Sequence, residues 1–125
     1  MKRSFRLTRF TDFQRVRRSG RTYAHPLVVL KVARGESPAV RVGVAAGRVT
    51  GNAVERNRAK RRIRACMDGL LPRLTPGWDL ILLARQPIHA ATFEQLRIAL
   101  ETLLGRAGLI SQESPSGEPP QRLPE

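Results

Sequence analysis

A basic amphipathic segment in the middle of the chain constrains the fold more than any other feature. Six of the nine residues 56–64 are lysine or arginine. At about 100° per residue, the apolar side chains of this segment gather on one side of a helix. They are Ala59, Ile63, Cys66, Met67 and Leu70. The opposite side carries Asn57, Arg58, Arg61 and Arg64. The segment therefore predicts a helix with one face in a core and a cationic face outside it.

Short-range signals mark both ends of this helix. Asn52 and Glu55 have the spacing of a capping box, which satisfies backbone N–H groups at a helix start. Gly69 and Pro72 are residues that end helices. The sequence therefore predicts a helix from about residue 53 to residue 68.

An excess of positive charge indicates a polyanionic partner. The chain has 23 lysines and arginines against 10 acidic residues, a formal net charge of +13. Glu55 is the only acidic residue between Glu36 and Asp68, so it cannot neutralise the basic helix, although a solvated face with paired charges is the alternative. An anionic membrane surface is a rival partner, but the basic helix lacks aromatic anchors. Nucleic acid is the favoured partner.

The length and composition predict one domain in a reducing compartment. With 125 residues the chain can bury one core, and residues 111–125 have the composition of a disordered tail, which leaves residues 1–110 as the domain. The single cysteine, Cys66, cannot form an intrachain disulfide and falls on the apolar helix face. No segment resembles a signal peptide or membrane span, so a cytoplasmic location is expected.

The remaining elements alternate between helix and strand. Thr11 and Gln14 predict a cap for a helix over 12–19, which Gly20 ends. The apolar runs 27–32 and 40–46 predict two strands that could pair antiparallel, and 79–84 predicts a third.

Thr92 and Gln95 predict the cap of a last helix that reaches about Leu104. Its apolar stripe is Phe93, Leu96, Leu100, Leu103 and Leu104. The order helix, two strands, helix, strand, helix predicts an α/β fold of the α+β sandwich type, with a small, mostly antiparallel sheet packed with helices.

No group of residues has the pattern of a catalytic or metal site. Asp12, Asp68 and Asp79 are scattered over three elements rather than paired as in a metal-dependent nuclease. His25 and His89 lie in predicted loops without a second ligand at metal spacing, so both are interpreted as structural. The sequence therefore assigns no metal-binding, cofactor-binding or catalytic residue to the protein, and leaves open whether the protein itself binds a metal ion.

The basic helix and its entry resemble the bacterial ribonuclease P protein family. The motif is Gly51-Asn52-Ala53-Val54 followed by Arg56-Asn57-Arg58-Ala59-Lys60-Arg61-Arg62-Ile63-Arg64. The resemblance extends to Asp12-Phe13, Gly20, Arg41-Val42-Gly43-Val44 and the segment from Trp78 to Arg85, and covers about residues 5 to 105.

This resemblance implies a subunit of a ribonucleoprotein endoribonuclease. The holoenzyme removes the 5′ leader from precursor tRNA by hydrolysing one phosphodiester bond, and its RNA subunit is the catalyst and requires Mg²⁺. The implied partners are the ribonuclease P RNA and the leader, with no membrane and no protein partner. The family also implies a left-handed β-α-β crossover, whereas patterning alone favours a right-handed one. The implied RNA-binding residues are Arg48, Asn52, Arg56, Asn57, Arg58, Lys60, Arg61, Arg62 and Arg64.

A second implied surface is a cleft that contacts the single-stranded leader. Phe13 matches an aromatic position of the family there, with core packing as the alternative for its ring. Arg17 and Lys31 stand where the family often has aromatic residues, so charge partly replaces stacking. Tyr23 lies nearby in sequence and is interpreted as a compensating aromatic. Trp78 opens the third predicted strand and is interpreted as a rim packing residue, with a base-stacking platform as the alternative.

Three other functions would account for the charge. A ribosomal protein would share it but not the Arg56-Asn57-Arg58 motif with a leader cleft. A self-sufficient nuclease requires clustered acidic or histidine ligands, which the sequence does not supply. A DNA-binding regulator would pair the basic helix with a second helix at helix-turn-helix spacing, which is missing.

Overall fold

Three helices and a four-stranded sheet make up residues 5–110, the part of the chain that the computed structural model describes. The helices are α1 (Phe10–Ser19), α2 (Ala53–Leu70) and α3 (Phe93–Arg106). The strands are β1 (Arg21–Ala24), β2 (Val28–Arg34), β3 (Arg41–Ala46) and β4 (Trp78–Ala84). Short 3-10 turns lie at Arg48–Thr50, Leu71–Arg73 and Gln86–Ala90. The predicted tail, 111–125, lies outside the described residues.

The strands lie in the order β1-β2-β4-β3. β2 pairs antiparallel with β1 and β4, and β3 pairs parallel with β4. The predicted antiparallel pair of the runs 27–32 and 40–46 is wrong, because β4 lies between them. β4 is an inner strand of the sheet, and its apolar residues Leu80, Ile81 and Leu82 are fully buried there.

The α+β class is confirmed, with two antiparallel pairings and one parallel pairing in the sheet. α2 lies in the connection between the parallel neighbours β3 and β4, as a β-α-β crossover requires. The left hand of this crossover stays a prediction from the resemblance.

Helices cover both faces of the sheet. Side chains alternate along β2, so Val28, Leu30 and Val32 face the main core together with α2 and α3. A smaller cluster of Leu7, Val16 and Ile81 forms under α1, on the other face. The sheet therefore separates α1 from the basic helix.

Several predicted boundaries differ from the structure. α1 begins at Phe10 with no side-chain cap, so the Thr11–Gln14 capping box does not form. Strand β1 was not predicted, because its four residues contain no apolar run of strand length; they are mostly exposed. α2 continues through Gly69 to Leu70. Of the predicted α3 stripe, the four leucines are fully buried, whereas Phe93 is 50% exposed.

A buried carboxylate ties α1 to the sheet. The side chain of Asp79 is fully buried and accepts hydrogen bonds from Arg41 Nε at 3.0 Å and Arg41 Nη2 at 2.9 Å. Arg15 of α1 donates to the same carboxylate and, at 2.8 Å, to the carbonyl of Arg34. Asp12 lies 3.5 Å from Arg41, so two carboxylates balance two guanidinium groups. The hydrogen bond with Asp79 raises the pKa of the Arg41 guanidinium.

Removal of Asp79 should destabilise the protein. In the Asp79→Ala variant we expect the free energy of unfolding to fall by about 3 kcal/mol, the low end of the range for breaking a buried ion pair. The low end applies because both arginines retain Asp12 and some solvent contact. Urea denaturation measures the loss. Glu94→Gln, which breaks an exposed ion pair on α3, is the control and should barely move the midpoint. Equal midpoints for the two variants would contradict the role given to Asp79.

Candidate nucleic-acid interface

The start of α2 is fixed by a complete capping box. Asn52 Oδ1 accepts a hydrogen bond from the Glu55 backbone N–H at 2.9 Å, and Glu55 Oε1 accepts one from the Asn52 N–H at 2.9 Å. Gly51 precedes the cap with φ of 146°, and a Cβ there would overlap the Glu55 carboxylate. The side chain of Asn52, a predicted RNA-binding residue, is thus engaged in the cap.

The apolar side of α2 is locked into the core, as the sequence predicted. Ala59, Ile63 and Met67 are fully buried, and Cys66 and Leu70 are 3% exposed. Burial raises the pKa of the Cys66 thiol to about 11, which keeps it protonated and unreactive near neutral pH. These contacts leave α2 no freedom to rotate its other side inward.

The cationic face of α2, formed by Asn57, Arg58, Arg61 and Arg64, points away from that core. Asn57, Arg58 and Arg61 are exposed, and Arg64 is half-buried. Six cations in and before α2 have no ion-pair partner within residues 5–110. They are Arg48, Arg56, Arg58, Lys60, Arg61 and Arg64. The alternative of a surface with paired charges therefore does not describe this face.

Arg62 differs from the other cations of α2. Its Nη1 donates to the carbonyl of Ile88 at 2.8 Å, and its Nη2 donates to the carbonyl of Ala91. Two of its donors are thus committed to the turn after β4. The sequence could not separate Arg62 from its neighbours, because its partners lie about 26 residues away in the chain.

A second basic surface lies beside α1. A groove of about 430 Å³ is lined by Gln14, Arg17, Arg18 and Lys31. We call it the leader groove, after the cleft that the family resemblance implies. Lys31 Nζ donates to Thr22 Oγ1 at 2.9 Å. Gln14 and Arg18 were not predicted. Gln14 lies three residues before Arg17 and four before Arg18, so helical spacing places it next to both arginines.

Phe13 lies on the same sheet face as this groove. It is half-buried and packs against the cluster of Val16 and Ile81, and Ile81 is the register partner of Lys31. The ring also covers Gly43, where a Cβ would overlap it. Phe13 therefore divides its ring between packing and the surface.

The interpretation of Tyr23 as a cleft residue is wrong. Tyr23 is the register partner of Leu30, so its side chain lies on the opposite sheet face from Lys31 and packs against the main core. The guanidinium of Arg106 lies 5.9 Å from the centre of its ring. The short distance in sequence between Tyr23 and Phe13 does not show which sheet face the Tyr23 side chain occupies.

The remaining candidates occupy ordinary structural positions. Trp78 is half-buried and lies 4.9 Å from the guanidinium of Arg34, a cation–π contact. His25 Nδ1 accepts the Leu27 N–H at 3.1 Å.

Within residues 5–110, no three His, Cys, Asp or Glu side chains are grouped as a metal site would require. None of the helices in that range has the length and apolar content needed to cross a membrane.

Comparison with known proteins identifies the family. Residues 1–108 match the family model for ribonuclease P. The ribonuclease P protein component of Herpetosiphon aurantiacus is 43% identical over 119 residues, which cover 94% of this chain and 97% of the relative. That of Chloroflexus aggregans is 43% identical over 95% of this chain and 87% of the relative.

Solved structures agree with these sequence matches. The ribonuclease P protein of Staphylococcus aureus superposes with a TM-score of 0.77 at 30% identity, over 86% of this chain and 98% of that one. That of Thermotoga maritima has a TM-score of 0.73 at 24% identity, over 81% and 96%, and supports the fold. The chain therefore belongs to the ribonuclease P protein family, the protein subunits of an endoribonuclease.

Proposed function

We propose that the chain binds the catalytic RNA of ribonuclease P through the cationic face of α2 and binds the 5′ leader of precursor tRNA through the leader groove. The RNA subunit, with its Mg²⁺, carries out the hydrolysis. The observation that carries this proposal is the set of cations on α2 that lack partners in the described chain, on a helix whose other side is locked in the core.

The position of these cations favours RNA contact over a stabilising role. Arg56 lies about one turn from the N-terminus of α2, where the helix dipole disfavours positive charge, and the last turn of α2 has no basic residue. Basic residues placed to stabilise the helix would lie in its last turn and not near its N-terminus. A guanidinium group can engage two phosphate oxygens at once, and Asn57 can add contacts to a base edge or sugar.

The leader groove suits a single strand. Unstacked bases can contact the exposed part of the Phe13 ring, and Arg17, Arg18 and Lys31 can contact phosphates. Because the residues that line the groove are three cations and Gln14, we propose that charge supplies more of the leader affinity here than stacking does. The two RNA surfaces lie on opposite faces of one sheet, so one protein can contact enzyme RNA and substrate together.

The acidic residues support a role for this chain outside the chemical step. Asp79 is buried between Arg41 and Arg15, and Asp12 is shared with the same two arginines. Neither carboxylate is available as a ligand in the manner of a two-metal nuclease. We therefore propose that the protein binds and positions RNA, in the cytoplasm, and takes no part in the chemical step.

Replacement of Arg58, Arg61 and Arg64 by alanine should weaken binding to ribonuclease P RNA and flatten its salt dependence. Each lost phosphate contact removes roughly 0.9 from the log–log slope for B-DNA, and the sign is the same for RNA. The measurement is affinity at several salt concentrations, with circular dichroism to verify the fold.

The matched control removes the same charge elsewhere, through Arg73, Arg85 and Arg106 to alanine. It should leave the slope much closer to that of the wild type. If both triple variants lose the same slope, α2 makes no special contact and the RNA-binding proposal fails.

Changes in the leader groove should affect precursor tRNA more than mature tRNA, because only the precursor has a leader. We expect Phe13→Ala to lower holoenzyme affinity for the precursor roughly five- to tenfold or more, the equivalent of one base stacked. Lys31→Ala should lower it more at low salt than at high salt. Arg106→Ala, on the other sheet face, is the control for charge. Equal losses for precursor and mature tRNA would show that these residues act elsewhere than on the leader.

A further inference from the structure

A histidine from a distant part of the chain holds the short turn that precedes α2. The turn Arg48–Thr50 ends at Thr50, which is 3% exposed. The carbonyl oxygen of Thr50 lies 2.6 Å from His89 Nε2. A carbonyl oxygen only accepts hydrogen bonds, so the hydrogen is on Nε2 and His89 is the donor. Thr50 Oγ1 also donates to the carbonyl of Ala84 at 3.4 Å.

His89 is itself held in place by α2. It lies in the turn Gln86–Ala90, next to the fully buried Ile88. Arg62 of α2 donates to the carbonyls of Ile88 and Ala91, which flank His89 in the chain. Arg62 of α2 thus holds the turn 86–90, and His89 in that turn holds the turn 48–50. The turn 48–50 in turn leads directly into α2.

The turn that His89 holds carries groups directed at solvent. Arg48 is exposed and has no ion-pair partner among residues 5–110, and Val49 is 86% exposed. Thr50 is followed directly by Gly51 and the cap of α2, so Arg48 lies at the N-terminal end of the helix that bears the cationic face. A turn fixed before binding loses less conformational freedom on binding than a mobile one.

We propose that His89 is a positioning residue of the RNA interface: its hydrogen bond to the Thr50 carbonyl fixes the turn 48–50 so that Arg48 meets the RNA together with the cationic face of α2. This inference rests on the proposed function of α2. His89 acts through Arg48 and does not itself contact RNA. Its effect on affinity must therefore depend on whether Arg48 is present.

A double-mutant cycle measures that dependence. His89→Phe keeps a ring but removes the donor, and His89→Gln restores an N–H donor. Each is made alone and with Arg48→Ala, and the affinity for ribonuclease P RNA is measured. We expect His89→Phe to weaken binding roughly three- to tenfold, the effect of one hydrogen bond, and His89→Gln to retain most of the affinity. In the Arg48→Ala background, His89→Phe should cost nothing further.

The same loss for His89→Phe with and without Arg48 would overturn the inference, because the histidine would then act on the fold in general. An unfolded His89→Phe protein by circular dichroism, or a His89→Gln protein as weak as His89→Phe, would overturn it too. His25→Phe is the matched control, with no expected coupling to Arg48.

The variant with Arg58, Arg61 and Arg64 replaced by alanine separates this inference from the proposal on which it rests. If that variant binds RNA like the wild type, the proposed function of α2 fails. If it binds weakly while His89 and Arg48 show no coupling, only the role of His89 fails.

Discussion

The apolar packing of one side of α2 fixes the orientation of this helix and the placement of its basic side chains. Ile63 and Met67 have no exposed surface, so the helix cannot rotate without emptying the core between α2, α3 and the sheet. The cations interleaved with these residues are thereby held outside, in fixed positions. Gly51 and the capping box determine the residue at which α2 begins. They therefore determine the position of each cation along the helix axis. The fold and the exposed cationic face of α2 are therefore consequences of the same packing.

The sheet separates the cationic face of α2 from the leader groove beside α1. Strand β4 lies between β2 and β3, and its side chains alternate between the core under α2 and the cluster under α1. The carboxylate of Asp79 fixes α1 on the second face through Arg15, and fixes β3 through Arg41. The leader groove therefore depends on a buried ion network, whereas the cationic face of α2 depends on apolar packing.

The sequence predicted what local periodicity encodes and missed what long-range pairing decides. The buried side of α2, its capping box and the cap of α3 follow from spacings of three and four residues, and all three were predicted correctly. Nothing local shows that β4 inserts between β2 and β3, or that Asp79 pairs with arginines 38 and 64 residues away. Tyr23 was misassigned because strand register, and not proximity in sequence, decides which sheet face a side chain occupies. In the sequence Arg62 cannot be distinguished from the other cations of α2, because its hydrogen-bond partners lie in a distant turn.

Cleavage of the RNA by an iron chelate tethered to the protein tests whether α2 lies against ribonuclease P RNA. The single native thiol, Cys66, is buried and its pKa is raised to about 11, so a cysteine placed on the surface can be labelled selectively. The positions to compare are Ala65→Cys, on the exposed side of α2, and Thr102→Cys, exposed on α3. If the cationic face of α2 contacts the RNA, we expect strong local cleavage of ribonuclease P RNA from the α2 position in the assembled holoenzyme and little from α3. Strong cleavage from α3 with none from α2 would contradict it.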